Sequence, residues 1–276
     1  MNIKLIALDL DRTTLNSESR LSPGNQAALE AAIAQGIHVV IASGRAFDSL
    51  PSDVVNLPGL EYAITSNGAS VWHLPTKTCL HSTTLPPEAV RTVLEVTAEE
   101  TLTYEGFIRG KAFGDINYVR NPEKFGAIPQ GVLYVQKTRT LVEDIRGFLL
   151  EHIQELESMD VVVSDQAMKE KVTAMLSPHL SGVYLTSSSP QLLELSNAAA
   201  GKHSGVRFLM NRLGISPEET AAFGDGDNDA DLLACVGFGV AVENASPACK
   251  AAADFITKHH DEDGIAYAIE AFLLPQ

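Results

Sequence analysis

Six polar side chains, in four separate parts of the sequence, could do chemistry together. Each lies just after a short apolar run or begins a predicted helix. They are Asp9 and Asp11, Ser43, Lys202, Asp225 and Asp229. In open parallel sheets, ligands bind outside the carboxyl ends of the strands. We therefore expect these side chains to meet at one edge of a single sheet.

The types of these side chains suit the binding of a phosphate dianion. Several aspartates placed together repel one another unless a cation lies among them, and hard oxygen ligands favour Mg²⁺. Lys202 adds a positive charge for phosphoryl oxygens, and Ser43 adds a hydroxyl donor. The backbone N–H groups around residues 10–12 and 43–44 can also bind an anion. A carboxylate beside a bound phosphate can attack phosphorus, and a second carboxyl group can act as acid and then as base.

The elements around these residues alternate between predicted strands and helices. Residues 3–8 form an apolar run that stops at Asp9, and residues 37–42 form another that stops at Ser43. Between them, Ser22-Pro23 is typical of a helix N-terminus. Further strands are predicted at residues 62–65 and 220–223. This pattern predicts an α/β fold with a Rossmann-like, doubly wound parallel sheet.

The alternation is interrupted between residues 83 and 189. A hairpin at 71–81 precedes the interruption, which contains a helix after Pro86-Pro87, a β-rich run at 131–135, a helix over 141–149 and a strand at 161–163. The Ser187–Pro190 segment is interpreted as a linker, after which a strand at 192–195 is expected to resume the core sheet. The prediction is a core of residues 1–82 and 190–276 with an inserted α+β cap domain at 83–189.

The composition excludes several classes of protein. The formal net charge of −15 argues against binding to nucleic acid. The sequence contains no apolar run long enough to span a membrane and no signal peptide, so the expected location is the cytoplasm. Three scattered cysteines, Cys79, Cys235 and Cys249, predict no disulfide framework.

A second group of possible metal ligands lies near the C-terminus. His259 and His260 are followed by Asp261 and Asp263. An exposed polar turn before the last helix explains this group better than a metal site does.

Taken in order along the chain, the polar clusters resemble the motifs of the haloacid dehalogenase superfamily of phosphohydrolases. The matching segments are Asp9-Leu10-Asp11-Arg12-Thr13, Ser43-Gly44-Arg45, Lys202 and Gly224-Asp225-Gly226-Asp227-Asn228-Asp229. The insertion is placed like the C2B-type α/β cap of the Cof-type subfamily. Ser66-Asn67-Gly68-Ala69 resembles that subfamily's loop after the third strand.

This resemblance implies roles for individual residues. Asp9 would be the nucleophile and a Mg²⁺ ligand, and Asp11 the general acid/base with its backbone carbonyl on the metal. Asp225 would complete the protein ligands, and Asp229 would support the metal or its waters. The phosphoryl group would be held by Ser43, Gly44, Lys202 and Asn228.

Two positions depart from the pattern of the superfamily. Arg12 stands where glycine is usual, and His203 stands where glycine often follows the lysine. Neither change removes a reactive atom, but both alter loops that border the predicted site.

The resulting hypothesis is Mg²⁺-dependent hydrolysis of a small phosphorylated metabolite, such as a sugar phosphate, through an aspartyl phosphate. Two alternatives are a phosphomutase of the same superfamily and a non-catalytic sugar-phosphate sensor.

Overall fold

The strands of this chain form two separate sheets. The computed structural model describes residues 1–274. In chain order the strands are β1 Leu5–Leu8, β2 His38–Ala42, β3 Tyr62–Thr65, β4 Ser70–His73, β5 Thr78–Ser82, β6 Thr103–Ile108, β7 Lys111–Asp115, β8 Arg139–Val142, β9 Leu156–Val162, β10 Val183–Thr186, β11 Leu192–Asn197, β12 Thr220–Gly224, β13 Phe238–Ala241 and β14 Phe255–Ile256.

The helices connect and cover these strands. They are α1 Pro23–Ala34, α2 Ser52–Val55, α3 Pro87–Val96, α4 Ile116–Arg120, α5 Pro129–Thr138, α6 Ile145–Glu151, α7 Gln166–Leu176, α8 Lys202–Leu213, α9 Ala230–Ala234, α10 Pro247–Ala252 and α11 Gly264–Ala268. Within residues 1–274, no helix has both the length and the apolar character needed to cross a membrane.

The chain divides into two units, and each sheet belongs mainly to one of them. The core unit consists of Met1–Arg45, Leu50–His81 and the chain from Gly201 onward. The inserted unit consists of Ala46–Ser49 and Ser82–Ala200.

The sheet of the core unit has eight strands in the order β14-β13-β12-β1-β2-β3-β4-β5. Strands β14 to β3 pair in parallel, whereas β4 is antiparallel to β3. All four residues of β1 are buried, as expected for a parallel strand that is covered on both faces. The predicted Rossmann-like α/β fold class is confirmed.

Helix α1 begins where its sequence signals predict. The Ser22 hydroxyl accepts a hydrogen bond from the Asn25 N–H at 3.1 Å, and Pro23 occupies the first helical position. Such a cap satisfies a backbone donor that the helix itself leaves unpaired.

The inserted unit contains a six-stranded sheet in the order β10-β11-β9-β6-β7-β8. All described pairs are antiparallel except β7 with β8. A separate apolar cluster, which includes Val90, Leu149, Met159 and Val172, joins this sheet to α3, α6 and α7. The inserted unit therefore has its own hydrophobic core.

The structure corrects the expected position of the strand at 192–195. This segment lies in β11, which pairs antiparallel with β9 and belongs to the second sheet. Leu193 and Leu195 pack in the apolar cluster of the inserted unit, whereas the intervening residue is the polar Glu194. This alternation is typical of an antiparallel strand with two different faces, not of a doubly covered parallel strand.

Two further predictions in the inserted unit were wrong in type or extent. Residues 131–135 lie in helix α5, because short apolar runs do not distinguish a strand from a helix. The helix expected over 141–149 begins at Ile145, after Asp144 accepts a hydrogen bond from the Gly147 N–H at 3.0 Å. Residues 139–142 instead form β8.

Candidate active site

The ends of β1 and β12 place the first two aspartates of the site. The Asp9 N–H donates to the Phe223 carbonyl at 3.0 Å, so the chain stays paired with β12 for one residue after β1 ends. The Thr14 hydroxyl then donates to the Asp9 carbonyl at 2.5 Å. Because β12 ends at Gly224, Asp225 follows directly on the neighbouring strand. Both carboxylates thus lie at the carboxyl ends of adjacent parallel strands.

A buried lysine joins two carboxylates of this edge. Lys202 is the first residue of α8, and its ammonium group lies 2.7 Å from Asp9 Oδ1 and 2.6 Å from Asp229 Oδ1. Its side chain is only 1% exposed. Burial by itself lowers the pKa of Lys202, but the charges of Asp229 and Asp9 outweigh this effect and raise it. Lys202 is therefore a permanently charged contact for these oxygens.

The remaining charge in the cluster is negative. Burial raises the pKa of Asp9 well above its usual value. The charge of Lys202 lowers this pKa, whereas repulsion from Asp229 and Asp225 raises it further. Burial and then repulsion from Asp229 raise the pKa of Asp225 to about 6. A divalent cation among these carboxylates would favour their ionised forms.

The donor set fits a hard divalent cation. Ligand oxygens of Asp9, Asp225 and Asp229 all lie within 4.8 Å of one another. Carboxylate oxygens are the ligands that Mg²⁺ prefers in proteins.

The three carboxylates differ in how many hydrogen bonds they already accept. Asp229 accepts from Lys202 on Oδ1 and from the N–H groups of Asp225 and Gly226 on Oδ2, at 3.0 and 2.9 Å. Asp225 accepts only a long contact of 3.3 Å from the Thr13 hydroxyl, and Asp9 Oδ2 has no hydrogen bond within residues 1–274. Asp9 and Asp225 thus retain more lone pairs for a metal than Asp229 does.

Asp11 does not contact this cluster directly but pairs with Arg45. The Nε and Nη2 atoms of Arg45 donate to the two oxygens of Asp11 at 2.8 and 2.6 Å. Such a two-point pair fixes the plane of the carboxylate. Asp11 remains half-exposed, whereas the Arg45 side chain is largely buried. The sequence identified Arg45 as part of a motif but did not predict this pairing.

Asn67 joins three segments that carry predicted phosphate-binding residues. Its N–H donates to the Ser43 carbonyl at 3.2 Å, and its carbonyl accepts from the Gly201 N–H at 2.9 Å. Its side-chain oxygen accepts from Asn228 Nδ2 at 3.0 Å. Asn67 has a φ of 52°, a left-handed conformation that asparagine tolerates better than most residues. The Asn-Gly pair after β3 was the available sequence signal for this role.

The motif around Ser43 is tightly packed against Asn67. Ser43 is buried, and its hydroxyl accepts from the Arg45 N–H at 3.2 Å. A Cβ atom on Gly44 would lie only 3.1 Å from Asn67 Oδ1. The absence of a side chain at Gly44 therefore lets the asparagine approach this turn.

Arg12 adopts the backbone conformation for which glycine is usual. Its φ is 61°, its carbonyl accepts from Asn244 Nδ2 at 2.8 Å, and its side chain is 65% exposed. The left-handed conformation costs a non-glycine residue about 1–2 kcal/mol. The guanidinium Nε lies 3.9 Å from Asp225 Oδ2, so the cation points to the rim of the carboxylate cluster.

His203, the other departure from the superfamily pattern, packs against Gly201. A Cβ atom on Gly201 would lie 2.4 Å from His203 Cε1, and Gly201 has a φ of 115°. Burial lowers the pKa of His203, which favours the neutral imidazole. In this sequence a glycine, Gly201, comes directly before Lys202, whereas in the usual pattern of the superfamily a glycine comes directly after the lysine.

The C-terminal histidines differ from the expected exposed turn. His260 is only 5% exposed, whereas His259 is partly exposed and Asp261 is exposed. The Asp263 carboxylate accepts from the Ser22 hydroxyl at 2.5 Å. The expectation of an exposed turn was therefore wrong for His260.

Comparison with known proteins gives consistent matches along the chain. A family model described as haloacid dehalogenase-like hydrolase matches residues 6–269. Phosphatase YwpJ of Bacillus subtilis is 32% identical, over 98% of this chain and 100% of that protein. The 5-amino-6-(5-phospho-D-ribitylamino)uracil phosphatase YcsE of the same organism is 25% identical, over 99% of this chain and 97% of its own length. A solved haloacid dehalogenase-like hydrolase from B. subtilis is 29% identical with a TM-score of 0.82, covering 98% of this chain and 100% of its own.

Proposed function

Because the chain belongs to the haloacid dehalogenase-like hydrolase family and is a phosphatase of that family, we propose that it hydrolyses small phosphomonoesters through an aspartyl phosphate on Asp9. The observation that carries this proposal is the buried Asp9 carboxylate, which Lys202 contacts at 2.7 Å. One of its oxygens is held by the ammonium group, and the other makes no hydrogen bond within residues 1–274. That second oxygen is available to attack phosphorus.

The chemistry divides between two carboxyl groups. Asp9 Oδ2 attacks phosphorus, the bond to the leaving oxygen breaks, and the Asp11 carboxyl group gives its proton to that oxygen. The Asp11 carboxylate then takes a proton from water as the water oxygen attacks the phosphorus of the aspartyl phosphate. This second step releases inorganic phosphate and restores the Asp9 carboxylate. Arg45 donates to both oxygens of Asp11, so it pairs with the ionised carboxylate left by the first step and holds it in place as the base of the second step.

The phosphoryl oxygens are assigned to a separate set of donors. The ammonium group of Lys202 supplies a buried positive charge beside Asp9. Ser43 supplies a hydroxyl, Gly44 supplies a backbone N–H group, and Asn228 supplies an amide that Asn67 orients at 3.0 Å. Donors fixed in this way stabilise charge that develops on the transferring group.

Mg²⁺ is the proposed cofactor, held by the carboxylates of Asp9 and Asp225 and by the backbone carbonyl of Asp11. Asp229, whose oxygens already accept three hydrogen bonds, would support this set. When bound, the cation would neutralise the charge of the carboxylates and the phosphoryl group and polarise its P–O bonds.

The proposed substrate class is a small phosphorylated metabolite, such as a sugar phosphate. The name of YcsE describes a phosphatase that acts on a phosphorylated ribitylamino compound, which is a small monoester of this kind. We propose that the inserted unit, expected from sequence at residues 83–189, is a cap that selects the leaving group.

The direct test is phosphate release from an aryl phosphate in the presence of Mg²⁺. We expect turnover by the unchanged protein and none by Asp9→Asn, because an amide is a poor nucleophile toward phosphorus. Asp53→Asn is the matched control, since Asp53 lies in α2 and outside the carboxylate cluster. Retained turnover in Asp9→Asn would exclude Asp9 as the nucleophile.

The same assay applied to a panel of phosphorylated metabolites separates the alternatives. Isomer formation without phosphate release would indicate a phosphomutase. Binding without any turnover across the panel would indicate a sugar-phosphate sensor.

A further inference from the structure

We propose that His259, His260 and Asp261 form a transition-metal site in the core unit, separate from the carboxylate cluster around Asp9. The three ligand atoms lie within 4.8 Å of one another. Asp261 Oδ2 is 3.6 Å from His259 Nδ1 and 3.8 Å from His260 Nε2.

The buried histidine already has the orientation of a metal ligand. His260 Nδ1 lies 2.9 Å from the Leu15 carbonyl, and since a carbonyl only accepts, Nδ1 carries the proton. Nε2 therefore has its lone pair free, and it makes no hydrogen bond within residues 1–274. A histidine that binds a metal through one nitrogen commonly donates the other N–H to a carbonyl in this way. A side chain only 5% exposed thus directs an unused lone pair at Asp261.

The carboxylate is held in place by a neighbouring loop. Asp261 Oδ1 accepts from the Ser17 N–H at 2.7 Å, and Oδ2 accepts from the Ser17 hydroxyl at 2.6 Å. Each oxygen keeps a further lone pair for another partner. Residues 15–17 consequently orient both His260 and Asp261.

His259 is the adjustable member of the set. Its Nδ1 accepts from the Asp261 N–H at 3.2 Å, a long hydrogen bond that metal binding would replace. Its side chain is 35% exposed, so an ion can reach this side of the group from solvent. The replaced contact is a weak one, whereas the contacts that hold His260 and Asp261 are retained.

The donor types select the class of metal. Two imidazole nitrogens and one carboxylate oxygen suit Zn²⁺, Ni²⁺ or Cu²⁺, whereas Mg²⁺ prefers oxygen alone. With metal–ligand distances of about 2.0–2.2 Å, ligand atoms of a tetrahedral zinc site lie roughly 3.3–3.5 Å apart. The observed separations from Asp261 exceed these values by only a few tenths of an ångström, and solvent can supply the fourth ligand.

The site is connected to the loop that carries the nucleophile. The His260 N–H donates to Asn244 Oδ1 at 3.1 Å, and Asn244 Nδ2 donates to the Arg12 carbonyl at 2.8 Å. A metal that fixes His260 would thus also restrain Asn244 and Arg12. We expect metal binding to stabilise this part of the core unit.

The proposal is tested by titrating tag-free protein with Zn²⁺ in a calorimeter, with excess Mg²⁺ present to occupy the carboxylate cluster. We expect one equivalent of Zn²⁺ to bind and to raise the unfolding temperature. Co²⁺ used in place of Zn²⁺ should give the visible absorption of a site with nitrogen ligands.

Variants assign the bound equivalent to its ligands. His259→Ala, at a partly exposed position, and His260→Gln should each weaken Zn²⁺ binding by at least about tenfold. His179→Ala is the matched control for an exposed histidine and should have no effect. Three results would each overturn the proposal. They are no Zn²⁺ binding by the unchanged protein, binding that survives both histidine substitutions, and binding that is lost only in Asp225→Asn.

Discussion

Lys202 is the residue on which the charge of the candidate active site depends. Its ammonium group contacts Asp9 and Asp229, and Asp225 is the third carboxylate of the cluster. If all three were ionised, one lysine would leave two negative charges uncompensated. In the absence of a cation, burial and mutual repulsion instead raise the pKa of Asp9 and of Asp225. Protons and a divalent metal therefore compete for the same oxygens.

This competition predicts that stabilisation by Mg²⁺ depends on pH. The pKa of Asp225 rises from 3.8 to about 6 on folding, so the folded protein binds more protons than the unfolded chain between these values. Its contribution to metal-free stability is present below pH 3.8 and is lost as the pH rises through about 6. Mg²⁺ requires the ionised carboxylate, so the increase in unfolding temperature that it causes should grow over the same range.

The measurement is the unfolding temperature with and without Mg²⁺ from about pH 5 to about pH 8. Asp225→Asn should largely remove both the Mg²⁺ effect and its pH dependence. An equal Mg²⁺ effect at both ends of the range would contradict the assignment of Asp225 as a metal ligand.

The sequence supports predictions about residues whose chemistry is distinctive but not about those that act through geometry. Asp9, Lys202 and Asp229 were expected at one sheet edge, and the structure brings them into direct contact. Arg45 and Asn67 were missed as partners because they act by orienting other side chains, which depends on the folded positions of both residues. Each lies in a recognised motif, but an arginine or asparagine side chain does not by itself indicate which residue it will bind.

At the scale of elements, the position of α8 depends on a close approach between two backbone segments. Gly68 has a φ of +89°, and a Cβ atom there would lie 2.0 Å from the Gly201 carbonyl oxygen. Gly201 is the residue before α8, whose first residue is Lys202. The loop after β3 thus fixes the position of the backbone from which Lys202 and helix α8 begin.

We predict that Gly68→Ala impairs catalysis more than a comparable change elsewhere. The added methyl group must displace the Gly201 backbone, and a misplacement of about 1 Å at a reacting group can reduce the rate on the order of a hundredfold. Gly214→Ala is the matched control, since Gly214 has a φ of +69° with no atom within 4 Å of its added Cβ. Both variants pay a conformational cost of about 1 kcal/mol or more, but only Gly68→Ala creates the collision.

The comparison requires kcat/KM and the free energy of unfolding for both variants. Equal kcat/KM values would show that the contact between Gly68 and Gly201 does not position Lys202.

Elements with clear local sequence signals were the ones that could be predicted. Strand β1 and helix α1 have an apolar run and a capping residue, respectively, and both were placed correctly. Strand β11 was identified as a strand but was assigned to the wrong sheet. Local sequence specifies that a segment is extended, whereas its partner strand is set by packing along the whole chain.

At the scale of the molecule, the apolar residues separate into clusters that follow the two units. The largest cluster, which includes Leu5, Phe223 and Leu209, lies in the core unit. The cluster around Leu149 and Met159 lies in the inserted unit. Domains with separate cores can unfold separately, because each buries its own apolar surface.

This separation predicts that the same substitution destabilises a different unit depending on its position. Leu149→Ala and Leu209→Ala each remove a fully buried side chain, at a cost of about 2–5 kcal/mol. In Leu149→Ala, amide hydrogen exchange should accelerate in β6, β9 and β11 but not in β1 and β12. Leu209→Ala should give the opposite pattern, because its side chain packs with the core sheet.

Binding of Mg²⁺ provides the second measurement for the same pair of variants. All proposed ligands lie in the core unit, so Leu149→Ala should bind Mg²⁺ as the unchanged protein does, whereas Leu209→Ala should bind it more weakly. The difference arises because partial unfolding of the core unit competes with metal binding. If either substitution accelerated exchange equally in both units, the two hydrophobic cores would have to unfold as one cooperative structure.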